Sequence, residues 1–142
     1  MIILDTNVVS EPLRSKPNPE VLAWLDRQAP ETLYLTTINV AELWSGVEAL
    51  PAGRRRTQLQ ALMSANVLAL FENRILPFDE PAATAFGRIA ANAQAAGNRI
   101  DFADCAIAAI AMTKNFMLAT RNIKDFRGVD VELINPWGAA AE

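Results

Sequence analysis

The chain has 142 residues, 51% of them hydrophobic, which is enough for one core and too little for a second domain beside it. With no histidine and one cysteine, it cannot use imidazole catalysis, an internal disulfide or a zinc site of the usual His/Cys kind. Sixteen acidic against thirteen basic residues give a net charge of −3, a balance that suits oxygen-only Mg²⁺ or Mn²⁺ sites and argues against a phosphate-rich partner unless a bound cation reverses the local sign.

Residues 2–4 read as a buried strand that breaks off at Asp5-Thr6-Asn7, short polar residues suited to a turn and a helix N-cap. A short helix over 8–14 follows, then a loop through Pro17 and Pro19, then a helix over 20–28 with Val21, Trp24 and Leu25 on one face. Residues 33–37 read as the second strand, with Thr37 as the cap of a helix over 38–50. Pro51-Ala52-Gly53 is the clearest break, and the amphipathic helix after it is expected to turn Leu59, Leu62, Met63, Val67, Leu70 and Phe71 inward. Residues 75–78 make a third strand, and Glu80-Pro81 opens a helix through residue 96, closed by Gly97-Asn98. The alanine-rich stretch 103–113 reads as a largely buried helix, with Cys105 a plain core thiol. Residues 117–119 and 131–134 supply two more strands, separated by a short polar helix at 123–126.

Strands alternating with helices predict an α/β fold, a central parallel sheet with helices on both faces, in a single domain over 1–142. The start carries no basic leader region and no apolar run nears the roughly 20 residues of a membrane span, so the expectation is a soluble, cytoplasmic protein with no membrane partner.

In such folds ligands bind beyond the carboxyl ends of the strands, so a working acid belongs just after a strand or in the first turns of the next helix. Asp5 satisfies this outright, Glu42 lies early in the helix after the second strand, and Asp104 starts the alanine-rich helix among apolar neighbours. Three acids brought together repel one another and need a shared cation. Mg²⁺ or Mn²⁺ keeps several waters and can acidify one for attack on phosphorus, which gives phosphodiester hydrolysis without histidine. Asp101 reads as a cap of the Asp104 helix with a water-mediated contact as the alternative, Asp79 as a cap, and Arg54-Arg55-Arg56 as a solvated helix start more than an RNA contact.

Ile3-Leu4-Asp5-Thr6-Asn7, Ala41-Glu42-Leu43, Asp101-Phe102-Ala103-Asp104 before Ile107-Ala108-Ala109, Leu118-Ala119-Thr120-Arg121-Asn122 and Asn135-Pro136-Trp137 together resemble a PIN-domain ribonuclease of the VapC toxin type, in its FitB-like branch. The resemblance covers essentially the whole chain. It implies a three-layer α/β/α PIN fold and an Mg²⁺- or Mn²⁺-dependent endoribonuclease. It also implies a toxin neutralised by a small cognate antitoxin, commonly as a homodimer, with DNA reached only through the antitoxin. By that resemblance Asp5 and Asp104 are the principal metal ligands, Glu42 completes the cluster or helps activate the water, and Thr120 is the hydroxyl beside the site.

Many members of that family carry a fourth acid where this chain has Asn122, whose amide oxygen can coordinate but adds no charge. That leaves the number of metals open and makes Asp125, a turn later, a candidate substitute against a surface role. The competing reading is a non-catalytic PIN-like module that binds RNA or protein. A haloacid-dehalogenase-type phosphatase needs a second acid where Asn7 stands, and a purely structural dimer unit leaves the three acids unexplained.

Overall fold

The computed structural model describes residues 1–138; the last four positions of the expected domain, 139–142, lie outside the described residues. Five parallel strands form one sheet in the order β3-β2-β1-β4-β5. They are β1 (Ile2–Leu4), β2 (Leu33–Thr36), β3 (Ile75–Leu76), β4 (Met117–Ala119) and β5 (Leu133–Ile134). Around them run α1 (Thr6–Ser10), α2 (Pro19–Asp26), α3 (Thr37–Glu48), α4 (Arg54–Leu62), α5 (Leu68–Leu70), α6 (Glu80–Ala95) and α7 (Phe102–Lys114).

Side chains alternate across a strand, and here that alternation builds two cores. Ile2, Leu4, Leu33, Leu35 and Ala119 face one way, onto Val8, Val9, Val21, Leu43, Val47, Met63 and Phe71 of the helices on that side. Ile3 and Leu118 face the other way, onto Ala82, Ala85 and Ile89 of α6 and the run Cys105 to Ala111 of α7. The result is the expected three-layer arrangement. Every residue of α7 from Cys105 to Ala111 is at most 1% exposed, because alanines let the helix approach both the sheet and α6.

Several expected boundaries move, each for a local reason. The cap of α3 is Thr36, not Thr37: Thr36 Oγ1 accepts from the Asn39 N–H while Asn39 Oδ1 accepts from the Thr36 N–H, a reciprocal box. Thr37 instead offers its hydroxyl oxygen to the Phe78 N–H at 3.2 Å, tying the end of β3 to the start of α3. The strand expected over 75–78 stops at Leu76, before Pro77, which has no N–H for the ladder. The helix expected over 8–14 ends at Ser10 and continues as a 3₁₀ turn, Glu11–Leu13, with Pro12 inside it. After α6, Gly97 takes φ +76° and the Asn98 N–H closes on the Ala93 carbonyl at 2.8 Å, the expected C-terminal cap.

The largest departure follows Gly53. Leu62 and Leu70, expected inside, are 38% and 57% exposed, while Met63 and Phe71 are buried. A π-turn over Met63–Val67 separates α4 from α5, and its wider turn changes the helical phase between Met63 and Leu70.

Candidate active site

The chain turns from one half of the sheet to the other between β1 and β4, and the carboxyl ends of those strands and of β2 converge there. Asp5 follows β1 directly. Its backbone N–H donates to the Ala119 carbonyl at 2.8 Å, which pins it beside β4. It is 5% exposed and does two jobs at once: Oδ1 accepts from the Thr6 N–H at 2.8 Å, capping α1, and Oδ2 accepts from Thr120 Oγ1 at 2.7 Å. The capping role and membership of the cluster are therefore the same geometry. Thr120, fully buried at the end of β4, also receives the Asn122 N–H on its hydroxyl at 3.1 Å.

Glu42 projects from the second turn of α3 and is exposed. Its Oε1 accepts from Thr6 Oγ1 at 2.7 Å, and Thr6 Oγ1 in turn accepts from Asn39 Nδ2 at 3.1 Å. Asn39 is fully buried, and its Oδ1 holds both the N–H and the hydroxyl of Thr36. A continuous chain of hydrogen bonds thus runs from the end of β2 through Asn39 and Thr6 to Glu42, and the backbone of Thr6 carries it on to Asp5. Thr6, Thr36 and Asn39 are absent from the sequence-based candidates. The Thr-x-x-Asn spacing, with an asparagine four residues before Leu43 on the inner face of α3, is the signal that could have found them.

Asp104 lies in the first turn of α7 and is half-buried. Burial, and then the charge of Asp5, followed by Asp101, Asp125 and Glu42, push its carboxyl up to about 7. Asp5 is raised as well, chiefly by burial, while the bonds from Thr120 and Thr6 pull it back and Glu42 and Asp125 add to the rise. Asp101 caps α7 through the Ala103 N–H at 3.2 Å, and Asp79 caps α6 through the Ala82 N–H at 3.1 Å. Asp125, on the 3₁₀ turn Ile123–Phe126, is near enough for its charge to reach both Asp5 and Asp104. Asn122 contributes its backbone N–H; its side-chain amide makes no hydrogen bond among the described residues. Arg54 and Arg55 are exposed at the start of α4, as expected of a solvated helix start.

Among the described residues no three acids stand close enough to close on one cation as they are placed. The donor set nonetheless suits one. It is all oxygen, and its two most buried carboxylates both resist ionisation, Asp5 chiefly through burial and Asp104 through burial and then the charge of Asp5. Asp5 is fixed by two donors, whereas Asp104 accepts no side-chain hydrogen bond among the described residues, so Asp104 is the less tethered of the two carboxylates.

Residues 2–132 match the family described as the PIN domain. The chain is 46% identical to VapC ribonuclease Y4jK of Sinorhizobium fredii, over 99% of this chain and 100% of that protein. It is 46% identical to Toxin FitB of Neisseria gonorrhoeae, over 96% of this chain and 99% of that one. The FitAcB structure from Neisseria gonorrhoeae superposes with a TM-score of 0.93 at 46% identity, covering 97% of this chain and 99% of its counterpart. A member of the VapBC family of toxin–antitoxin systems from Mycobacterium tuberculosis superposes with a TM-score of 0.70 at 26% identity, covering 94% and 96%.

Proposed function

The chain belongs to the PIN-domain family, with the VapC and FitB toxins, and on that footing we propose that it is an endoribonuclease toxin that uses Asp5, Glu42 and Asp104 around Mg²⁺ or Mn²⁺. The observation that carries this reading is the hydrogen-bonded convergence of Asp5, Thr120, Thr6, Asn39 and Glu42 beside a half-buried Asp104 at the point where the strand order reverses. That arrangement gathers negative charge at a cost, which a cation would offset.

A bound divalent ion supplies counter-charge to the phosphodiester and lowers the pKa of a water beside it. The protein's own part is to aim the acids. Thr120 and the Thr6 N–H fix both oxygens of Asp5, and Thr6 Oγ1 holds one oxygen of Glu42, leaving the other to accept a proton from the attacking water. Hydrolysis then joins the water oxygen to phosphorus and breaks the bond to the 3′ oxygen, which leaves as a hydroxyl. The products carry 5′-phosphate and 3′-hydroxyl ends.

The same reading gives the chain a small antitoxin partner, as in the toxin–antitoxin systems it resembles, with DNA contacted through that partner. An apolar cavity of about 380 Å³ lined by Leu13, Leu22, Leu25, Val67 and Leu70 offers the antitoxin an apolar segment to bury. Homodimerisation, which rests on the resemblance, and action in the cytoplasm belong to this proposal. No described helix is long and apolar enough to cross a membrane. The competing reading, a binding module without catalysis, is favoured by one observation: the exposed amide of Asn122, where the resemblance implies an acid in many members of the family.

The test is cleavage of total cellular RNA by the purified, antitoxin-free protein in Mg²⁺ or Mn²⁺ against EDTA, with fragment ends sequenced. Metal-dependent cuts with 5′-phosphate ends support the reading. Folded, metal-loaded protein that cuts no RNA supports the binding module, and 2′,3′-cyclic phosphate ends overturn the water-attack chemistry.

A further inference from the structure

An acidic protein that acts on a polyanion needs local positive charge, and the molecule has it in one concave place. A cavity of about 470 Å³ opens beside Asp104, between the loop before α7 and the 3₁₀ turn Ile123–Phe126. Arg99, Lys124 and Arg127 line it together with Asp101, Asp104 and Asp125. All three cations are exposed, and none makes a side-chain hydrogen bond or an ion pair among the described residues, where the one ion pair joins Arg14 to Glu11 at 3.2 Å. Exposed cations without partners are common on any protein. What distinguishes these is that they share a wall with three carboxylates and still pair with none of them.

Lys124 lies on the 3₁₀ turn Ile123–Phe126 and Arg127 directly follows it, so both reach the cavity from one segment, with Asp125 between them close enough for its charge to act on Asp5 and Asp104. Asp101 caps α7 through Oδ2 and makes no bond to Arg99, two residues earlier, among the described residues. The cavity therefore sets three cations among three carboxylates, next to the carboxylate cluster.

We propose that Arg99, Lys124 and Arg127 form a phosphate-binding subsite that holds the single-stranded RNA backbone next to the bond being cut. This rests on the nuclease reading above and adds to it the path of the strand, from the cluster over the cavity toward the 3₁₀ turn. The carboxylates take the scissile phosphate through a cation, and the three free side chains take the neighbouring phosphates directly. Three of the chain's thirteen basic residues line this cavity, so a chain with net charge −3 still presents cations beside the carboxylate cluster.

The test is the salt dependence of RNA binding, read by fluorescence anisotropy with a labelled mixed-sequence 12-nucleotide RNA in an Asp5→Asn background that prevents cleavage. Three contacts to a single strand give a slope of about −2 in log affinity against log salt, equal to about a 20-fold loss between about 50 and about 200 mM KCl. The triple variant Arg99→Gln/Lys124→Gln/Arg127→Gln is expected to lose that slope while melting at the parental temperature. The double variant Arg54→Gln/Arg55→Gln, which removes exposed charge elsewhere, is expected to change the slope by less than half as much. An unchanged slope in the triple variant, or an equal change in the control pair, overturns the subsite. So does loss of antitoxin binding with RNA binding intact, which would assign the cavity to a protein partner. In the cleaving background the triple variant should raise KM with kcat largely kept. Cleavage with an unaltered slope defeats the subsite alone, whereas binding with no cleavage by the parent defeats the nuclease reading and leaves the subsite standing.

Discussion

Replacing Thr120 by valine removes one hydroxyl from a fully buried position and changes almost nothing in shape. Two bonds are lost: the donor to Asp5 Oδ2 at 2.7 Å and the acceptor for the Asn122 N–H at 3.1 Å. A hydrogen bond to a charged group contributes about 1.5–3 kcal/mol, and the second, partly solvated bond adds roughly 0.5. The expected destabilisation is about 2–3 kcal/mol, a fall in Tm of roughly 6–9 °C for a domain of this size. Because this bond is the larger of the two that pull the Asp5 carboxyl down, its loss also makes Asp5 harder to ionise, and Mn²⁺ affinity should drop about tenfold. Thermal melts in EDTA and a calorimetric Mn²⁺ titration read the two effects separately, and Thr120→Ser, which keeps the hydroxyl, should recover most of both. A valine variant that melts within about 0.5 kcal/mol of the parent and binds Mn²⁺ equally well would refute the assignment of Thr120 as the group that positions Asp5.

Asn39→Ala removes three side-chain bonds from a fully buried site and should cost about 3 kcal/mol in urea denaturation; a loss below about 1 would show that the Thr36 box is closed by other means. Thr6→Val should destabilise by only about 1 kcal/mol, since Glu42 is exposed, yet lower kcat about tenfold, and a change confined to stability would remove Thr6 from the positioning chain. The metal-free protein should lose stability as pH rises. Asp104 titrates near 7 in the folded state and near 3.8 unfolded, so the folded form binds the extra proton between those values, and the contribution present below about 4 is gone above about 7. Excess Mg²⁺ should flatten or invert that trend, because the ion takes the ionised carboxylates; identical pH profiles with and without Mg²⁺ would count against a cation at this cluster.

The layers of the fold were legible because burial leaves a period. Ile2 and Leu4 against Ile3, and Leu33 and Leu35 against Tyr34, alternate between the two cores, and the alanines of α7 announce close packing on more than one side. Leu70 was not legible, since the π-turn over Met63–Val67 is a slip in hydrogen bonding that leaves no mark on a 3.6-residue pattern; the exposure of Leu62, ahead of that turn, has no such account. At the site, Asp5, Glu42 and Asp104 stand out as acids in the right places along the chain. Asn39 and Thr6 do not, because a neutral side chain that relays a hydrogen bond looks like any cap or turn residue until the strands bring positions 33 residues apart together. The cavity cations escaped for a similar reason: Arg99 and Lys124 meet only through the packing of α7 against the 3₁₀ turn.

The central claim is that Asp104 is kept for chemistry at the expense of stability, and the Asp104→Asn variant tests it directly. The amide keeps the shape of the side chain and removes the charge that burial and Asp5 oppose. After discounting for solvent screening, the metal-free variant should gain about 1 kcal/mol at pH 8, a Tm rise of roughly 3 °C, while Mg²⁺-dependent RNA cleavage falls to the EDTA background. A variant that cleaves RNA at the parental rate would contradict the account, whatever its stability.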